Sequence, residues 1–234
     1  MEPANGVTVE VVRTTPLLIK SAEEQVYEAL REEILHGMEP GSPLRLAEIA
    51  DRLGVSTMPV RAALMRLESD GLVRQQPRRG AIVAPLDVED IEEIQSIRCG
   101  IEGLAARLGA AAIDAVGIER MGELMRVLES AAQRRDLDQY LHIATEFEDE
   151  LYRAAHRARL LGLVQGFRQA AQRYVRLAVG GSPDFKIDAH ERLLDAARAN
   201  DGVAAEAIIR ESLLWTLARI VDRMRSEQEA PARS

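Results

Sequence analysis

The 234-residue sequence predicts a mainly α-helical protein in two parts, a turn-rich first third and a long helical remainder. Seven of the nine prolines precede residue 86 and none lies between Pro85 and Pro183, so only the second part can hold long uninterrupted helices. Charge divides in the same way. The whole chain has a net charge of −8, yet residues 56–80 carry five arginines against two acidic residues. A basic segment on an acidic protein is typical of a nucleic-acid-binding face.

The composition excludes several classes of protein. Hydrophobic residues make up 47% and charged residues 29%, a balance typical of folded globular domains. No apolar run approaches the roughly 18 residues of a membrane span. The N-terminus has no charged region followed by an apolar one, so we expect no secretory signal, no membrane contact and a cytoplasmic location. The single cysteine, Cys99, excludes an internal disulfide and a cysteine-based zinc site.

Three helices are predicted in the first third. The first runs from a cap at Ser21 to Gly37, because apolar residues recur between them at helical spacing. The second spans residues 46–53 and ends at a glycine. Ser56 then caps a third helix that continues to about Asp70. The short, turn-rich connection between the last two helices indicates a helix-turn-helix.

A short hairpin follows these helices. Residues 72–74 and 81–83 are β-strand candidates on either side of a segment that contains Pro77 and Gly80. Pro59 does not break the third helix, because amides of the first turn have no intrahelical acceptor. A helix, a helix-turn-helix and a hairpin, in this order, predict an N-terminal winged helix-turn-helix domain.

The polar face of the third helix has the chemistry of a DNA-reading surface. It carries Thr57, Arg61 and Arg66, and an arginine can donate two hydrogen bonds to a guanine edge in the major groove. The hairpin tip supplies Arg78 and Arg79, which suit phosphates or a minor groove. The alternative is a solvated face with ordinary surface arginines.

A family resemblance lies in residues 46–83, which read LAEIADRLGVSTMPVRAALMRLESDGLVRQQPRRGAIV. This segment resembles the winged helix-turn-helix of GntR-type bacterial transcription regulators. The resemblance implies that Arg61 reads a base and that Gly80 lets the wing approach the DNA backbone. Thr57 stands where the family usually has Arg, and Met58 where it has Thr, which implies a changed operator. The candidate DNA-binding residues are Arg45, Ser56, Thr57, Pro59, Arg61, Arg66, Arg78, Arg79 and Gly80.

Six further helices predict an all-α antiparallel bundle. Residues 96–110, SIRCGIEGLAARLGA, resemble the opening of the FCD ligand domain of the FadR subfamily, anchored by Arg98 and Glu102. The resemblance implies a helical effector-binding domain and a homodimer. The predicted helices cover residues 88–112, 115–134, 137–157, 160–179, 184–199 and 202–226.

Three polar residues interrupt apolar seams of this bundle. Arg98, Glu148 and His190 each share a helix face with aliphatic residues. Burying a charge without a partner is costly, so such groups are paired, solvated or bound to a ligand. Together with Ser212 they are the candidate lining of a polar effector pocket.

The subfamily often holds a divalent metal in such a pocket, bound by one Asp and three His. At those positions this chain has Ala144, Glu148, His190 and Ser212, so only His190 matches and Glu148 is a substitute oxygen ligand. We therefore expect no required cofactor. Three interpretations stay open: a metal on Glu148 and His190, a buried Arg98–Glu148 pair beside His190, or a metal-free pocket in which Arg98 grips an anion.

The sequence thus predicts a transcription regulator that binds a palindromic operator in double-stranded DNA as a homodimer, a repressor released by a small carboxylate. The alternatives are a constitutive DNA-binding dimer and a helical metal-binding enzyme. The enzyme has no support from a nucleophile–base pair, a phosphate loop or a His-Glu-x-x-His motif. The predicted parts are an arm at 1–16, the DNA-binding domain at 17–85, the effector-binding and dimerisation domain at 86–228 and a tail at 229–234.

Overall fold

The computed structural model describes residues 20–76, 80–179 and 185–229. The predicted arm, the tip of the hairpin and all but the first residue of the predicted tail lie outside these ranges. The N-terminal domain has the predicted order of elements. They are α1 (Ala22–His36), β1 (Pro43–Leu44), α2 (Leu46–Leu53), α3 (Thr57–Ser69), β2 (Val73–Gln76) and β3 (Gly80–Val83).

Local capping sets the ends of these helices. The Ser21 hydroxyl accepts a hydrogen bond of 3.1 Å from the backbone N–H of Glu24, which starts α1. Gly54 has a φ of 64°, in the left-handed region that favours glycine, and its N–H closes α2 by donating to the Ala50 carbonyl. These ends are the predicted ones.

The small sheet has the strand order β1-β3-β2, and both pairs are antiparallel. β2 and β3 form the predicted hairpin, with Val73 opposite Val83 and Gln76 opposite Gly80. β1 was not predicted from the sequence. Its Pro43 lies opposite Ile82 on the edge of the sheet, where a residue without an N–H is tolerated.

The C-terminal domain is the predicted antiparallel bundle. The largest difference in bounds is at the end of α6, four residues before the predicted position, while α7 begins two residues early, α8 begins three residues late and α9 ends three residues late. At the end of α6, His156 has a φ of 51° and its N–H turns back to the Arg153 carbonyl, so the helix cannot continue. The helices are α4 (Val88–Ala112), α5 (Ala115–Arg134), α6 (Leu137–Arg153), α7 (Ala158–Val179), α8 (Ile187–Arg198) and α9 (Gly202–Glu229).

Helix α4 is the centre of the bundle, packed along α9 and against α6, α7 and α8. Glycines allow the closest approaches. A Cβ on Gly109 would lie 2.0 Å from the Leu151 carbonyl oxygen of α6, and one on Gly202 would lie 2.3 Å from the Arg107 carbonyl oxygen. Phe147 and Leu128 are fully buried in the core around α4. Within the described ranges, no helix combines the length and the apolar character that crossing a bilayer requires.

Helix α7 also contacts the N-terminal domain and the linker that follows it. The Arg31 guanidinium of α1 donates to the Gln172 side-chain oxygen at 2.6 Å. Arg173 donates to the Ala84 carbonyl at 2.6 Å, and the Tyr174 hydroxyl accepts from the Asp87 N–H at 3.1 Å. The two domains are therefore joined through a short stretch of α7, residues 172–174.

Candidate DNA interface and ligand cavity

Helix α3 buries one face and leaves the opposite face open. Val60, Ala63, Leu64 and Leu67 pack into the core of the N-terminal domain. Ser56 holds the predicted N-cap position, although its side chain makes no capping hydrogen bond. The packing fixes the rotation of the helix, so its polar face points away from the domain.

Arg61 lies on this open face. Its side chain is exposed, and none of the described residues forms an ion pair or a hydrogen bond with it. Thr57, four residues earlier, is exposed on the same side, and Pro59 lies in the first turn. An extended guanidinium without a partner is available to a base edge.

Arg66, another predicted DNA-binding residue, contacts helix α1. Its guanidinium bonds the Glu24 carboxylate at 2.7 Å and lies 3.8 Å from the centre of the Tyr27 ring. Tyr27 also donates to Asp70 at 2.7 Å. Arg66 thus connects α3 to α1 in the DNA-free protein, and its DNA contact stays a prediction. Sequence spacing alone did not reveal that α1 lies beside this part of the helix.

Two further predicted DNA-binding positions lie at the edges of the same surface. Arg45 precedes α2 and pairs with Glu48 at 2.8 Å, but both side chains are about two-thirds exposed. Such a pair is weak, so a phosphate can replace the carboxylate. Gly80 begins β3 with a φ of 85° and has open space beside it. Arg78 and Arg79, the predicted phosphate contacts of the wing, lie outside the described residues.

The bundle contains a buried network of charges centred on Glu102. This carboxylate accepts from Arg98 at 2.6 Å and from Arg168 at 2.9 Å, and the Tyr152 hydroxyl donates to it at 3.2 Å. Arg98 also donates to Gln95 at 2.8 Å. The network joins α4, α6 and α7 inside the bundle.

The environment shifts the pKa values of Glu102, which is buried, and Glu148, which is partly buried, in opposite directions. Burial opposes the charge of Glu102, but Arg98 and Arg168 outweigh it and hold the pKa of Glu102 below its usual value. Burial raises the pKa of Glu148, and its single close arginine, Arg168, offsets only part of that shift. Glu102 is therefore a firmly charged structural group, whereas Glu148 takes up a proton more easily.

The Arg98–Glu148 pair, one of the three interpretations left open by the sequence, is not formed. Arg98 pairs with Glu102 one turn along its own helix, and Glu148 pairs with Arg168 of α7. Sequence reasoning missed Arg168 because it lies in an ordinary polar position of a long helix. Its three carboxylate partners, which include Asp149 at 2.8 Å, come together only when α4, α6 and α7 pack.

A cavity of about 150 Å³ lies between α6, α8 and α9. It is lined by three of the four predicted pocket residues, Glu148, His190 and Ser212, but not by Arg98. His190 is buried, and its Nδ1 lies 2.7 Å from the Lys186 carbonyl. Because a carbonyl only accepts, Nδ1 carries the hydrogen of this bond, and in the neutral ring Nε2 remains as an acceptor.

Two cations that the sequence analysis did not select also line this cavity. Lys186 lies 4.4 Å and Arg219 4.9 Å from the centre of the Trp215 ring, on which their charges stack. A signal for Arg219 was present, since it follows Trp215 by four residues and Ser212 by seven, on one face of α9. Nothing in the sequence pointed to Lys186, which precedes α8 in a connection.

The residues of this cavity do not fit a metal ion. Glu148 and His190 are its only side chains of the types that bind divalent metals well, and Glu148 is already held by Arg168. Ala144 has no donor and Ser212 is a poor ligand. Over the ranges that the structure describes, no group of three or more His, Cys, Asp or Glu side chains is arranged to hold a metal.

Comparison with known proteins gives two family matches. Residues 22–83 match the sequence model of bacterial regulatory proteins of the gntR family, and residues 93–214 match that of the FCD domain. The first match covers the winged helix-turn-helix, and the second covers most of the bundle with its cavity.

Two curated proteins and one solved structure are similar over most of the chain. The HTH-type transcriptional repressor RspR of Escherichia coli K12 is 26% identical over 193 residues, 81% of this chain and 85% of that protein. A probable D-xylose utilization operon transcriptional repressor of Paenarthrobacter nicotinovorans is 31% identical over 184 residues, 78% of this chain and 81% of that protein. The structure of E. coli McbR/YncC has a TM-score of 0.75 at 21% identity, and the match covers 88% of this chain and all of that one.

Proposed function

Because this chain belongs to the GntR family of bacterial regulatory proteins and carries an FCD domain, we propose that it is a repressor that binds a palindromic operator as a homodimer and leaves it when a small carboxylate fills the bundle cavity. The family consists of transcriptional regulators and not of enzymes, so the alternative of a helical metal-binding enzyme is wrong. The names of two relatives support repression. Such a protein acts on the chromosome, in the cytoplasm.

The open face of α3 supports the DNA-binding part of this proposal. Arg61 is exposed there without a partner among the described residues, next to exposed Thr57. One chain presents one such helix. Helix-turn-helix dimers bind two half-sites about 34–36 Å apart, so a palindromic operator mirrors a two-fold axis between two chains. Light scattering should therefore give twice the 25.9 kDa mass of one chain.

The cavity carries the proposal of a carboxylate effector. Lys186 and Arg219 bring two positive charges to a space of about 150 Å³, while the Nε2 of His190 and the Ser212 hydroxyl add hydrogen-bonding groups. Drug-sized ligand pockets measure about 300–1,000 Å³, so this cavity suits a small metabolite. A carboxylate matches the two cations without the need for a metal.

A path from the cavity to α3 supports the release of DNA. Glu148 and Val175 line the cavity, and Glu148 is bound to Arg168 of α7. One turn further along α7, Gln172 accepts from Arg31 of α1. Helix α1 in turn holds α3 through the Arg66–Glu24 pair. A carboxylate in the cavity would accept a hydrogen bond from the protonated form of Glu148, whose pKa is raised, and so weaken the Glu148–Arg168 ion pair. The change would move α7, and with it the contact to the DNA-binding domain.

A ligand screen followed by a DNA-binding assay tests the proposal. We expect a sugar acid or a small dicarboxylate to raise the unfolding temperature, since a ligand at about one hundred times its Kd stabilises by about 2.7 kcal/mol. D-xylose belongs in the panel because one relative is named for its utilization. The stabilising compound should weaken binding to an operator selected from random duplex DNA.

Three variants sharpen this test. Arg219→Gln should lose the stabilisation, while the matched control Arg210→Gln, exposed on the same helix α9, should keep it. Gln172→Ala should keep the stabilisation but lose the release of DNA, because it cuts the contact between the domains. If no compound stabilises the protein, it is a constitutive DNA-binding dimer instead. If Arg219→Gln responds like the native chain, the ligand does not bind in this cavity.

A further inference from the structure

The open face of α3 carries apolar side chains that the DNA-binding role described so far does not use. Met58 is 71% exposed and Met65 is 61% exposed. In the described part of the N-terminal domain, these two are the large apolar side chains that lie exposed. Every other large apolar residue of α3 is packed into the domain core.

Both methionines lie in one stripe with Arg61. Residues 58, 61 and 65 are three and four positions apart, so their side chains follow one another along a single helix face. Met58 is in the first turn of α3, the part of a recognition helix that reaches base edges. Met65 lies seven residues further along, about 10 Å up the helix axis.

The chemistry of Met58 leaves one partner in the major groove. A thioether has no donor and is only a weak acceptor, so it cannot read the hydrogen-bonding pattern of a base pair. The C5-methyl group of thymine is the apolar feature that the major groove displays. Methionine is unbranched and flexible, so its side chain can adapt to the position of that methyl group.

We propose that Met58 selects a thymine in each half-site by packing on its C5-methyl group, beside the base pair that Arg61 reads. This inference rests on the proposed role of α3 as the DNA-reading helix. Met58 is then a specificity-determining residue. Met65 is not, because it lies too far from the start of the helix to reach the same base step.

Removal of single methyl groups from the DNA tests the inference directly. The full chain first selects a binding site from a random duplex library. Each thymine of that site is then replaced, one at a time, by deoxyuridine, which lacks only the methyl group. We expect one position per half-site at which the replacement weakens binding about fourfold, the effect of losing one buried methyl-sized group.

Two exposed variants identify the side chain that senses the methyl group. In Met58→Ala the difference between thymine and deoxyuridine at that position should vanish. In the matched control Met65→Ala it should stay at about fourfold. Both residues are exposed, so unchanged unfolding temperatures are expected and confirm that the variants are folded.

Several outcomes would overturn the inference. They are a native protein that no deoxyuridine replacement affects, a Met58→Ala variant that keeps the difference, or a difference that disappears in Met65→Ala instead. If Met58→Ala or Met65→Ala changes the mass of the DNA-free assembly in solution, this face of α3 is a protein–protein interface instead. Failure of the library to yield any enriched site would instead refute the DNA-reading role of α3 itself.

Discussion

Arginine has opposite roles in the two domains of this protein. In the bundle, Arg98 and Arg168 are almost completely buried and share the carboxylate of Glu102. On α3, Arg61 is exposed and has no partner among the described residues. The same side chain therefore stabilises a helix packing in one region and is left available for binding in the other.

The difference shows why burial must be known before a charged residue is given a function. A guanidinium inside a bundle needs a carboxylate, and the carboxylate then leaves it little capacity for a ligand. Arg98 is such a residue, so in our proposal the anion is bound by Lys186 and Arg219 instead, which stack on Trp215 at the cavity. On α3 the solvent replaces the carboxylate, so Arg61 stays available for the DNA contact that we propose.

The largest expected effect comes from a substitution in the buried charge network around Glu102. Glu102→Gln leaves two buried arginines without their shared charge, which should lower the free energy of unfolding of the bundle by about 3–5 kcal/mol. Glu206→Gln is the matched control, because Glu206 pairs with Arg210 and Arg107 at the surface. It should cost less than about 1 kcal/mol. If urea unfolding gives the same loss of free energy for Glu102→Gln and Glu206→Gln, the buried network does not stabilise the bundle.

The same carboxylate sets the response to acid. The pKa of Glu102 is lowered in the folded protein, so its stabilising effect is present above the ordinary glutamate pKa, about 4.3, and is lost as the pH falls through the lowered value. Glu148 has the opposite sign, because its raised pKa favours the folded state at lower pH. We expect the unfolding temperature of Glu102→Gln to fall less than that of the native chain below about pH 4; a parallel fall would contradict this assignment.

The next effect concerns the two arginines of α3. Arg61→Ala should abolish the preference for the operator over random DNA, since a bidentate base contact contributes about 1–3 kcal/mol in each half-site. Arg66→Ala should leave that preference in place and instead lower the unfolding temperature, because Arg66 holds Glu24 and Tyr27 of α1. Binding measured by fluorescence anisotropy on operator and random duplexes separates the two. If Arg66→Ala loses the preference for the operator over random DNA, Arg66 has the DNA-binding role that its sequence position predicts.

The smallest effect is expected at the wing. Replacing Arg78 and Arg79 together by Ala should lower the slope of log affinity against log salt by roughly one to two units per wing, because each phosphate contact releases about one counterion. The preference among DNA sequences should not change. A constant slope with an altered preference would show that the wing reads bases.

The helices and their bounds were predictable because they depend on neighbouring residues. Ser21, Asp87, Asp114 and Asp136 each cap the helix that follows by accepting a backbone N–H, and such caps can be recognised in sequence. The largest deviation is at the end of α6, where the positive φ of His156 has no sequence signal of its own. The two-residue strand β1 was missed for another reason. Its Pro43 pairs with Ile82, which lies 39 residues away in the chain.

The sequence by itself determined the order of elements, the rotation of α3 that exposes Arg61, and the presence of polar groups inside the bundle, since all three follow from spacing along a single helix. Only the tertiary structure decided which charges meet. Glu148 bonds Arg168 rather than Arg98, and Lys186 joins Arg219 at the cavity, because α6, α7, α8 and α9 bring together residues that are far apart in the chain. Electrostatic partners depend on distances of a few ångströms, and those distances are fixed by helix packing rather than by local sequence.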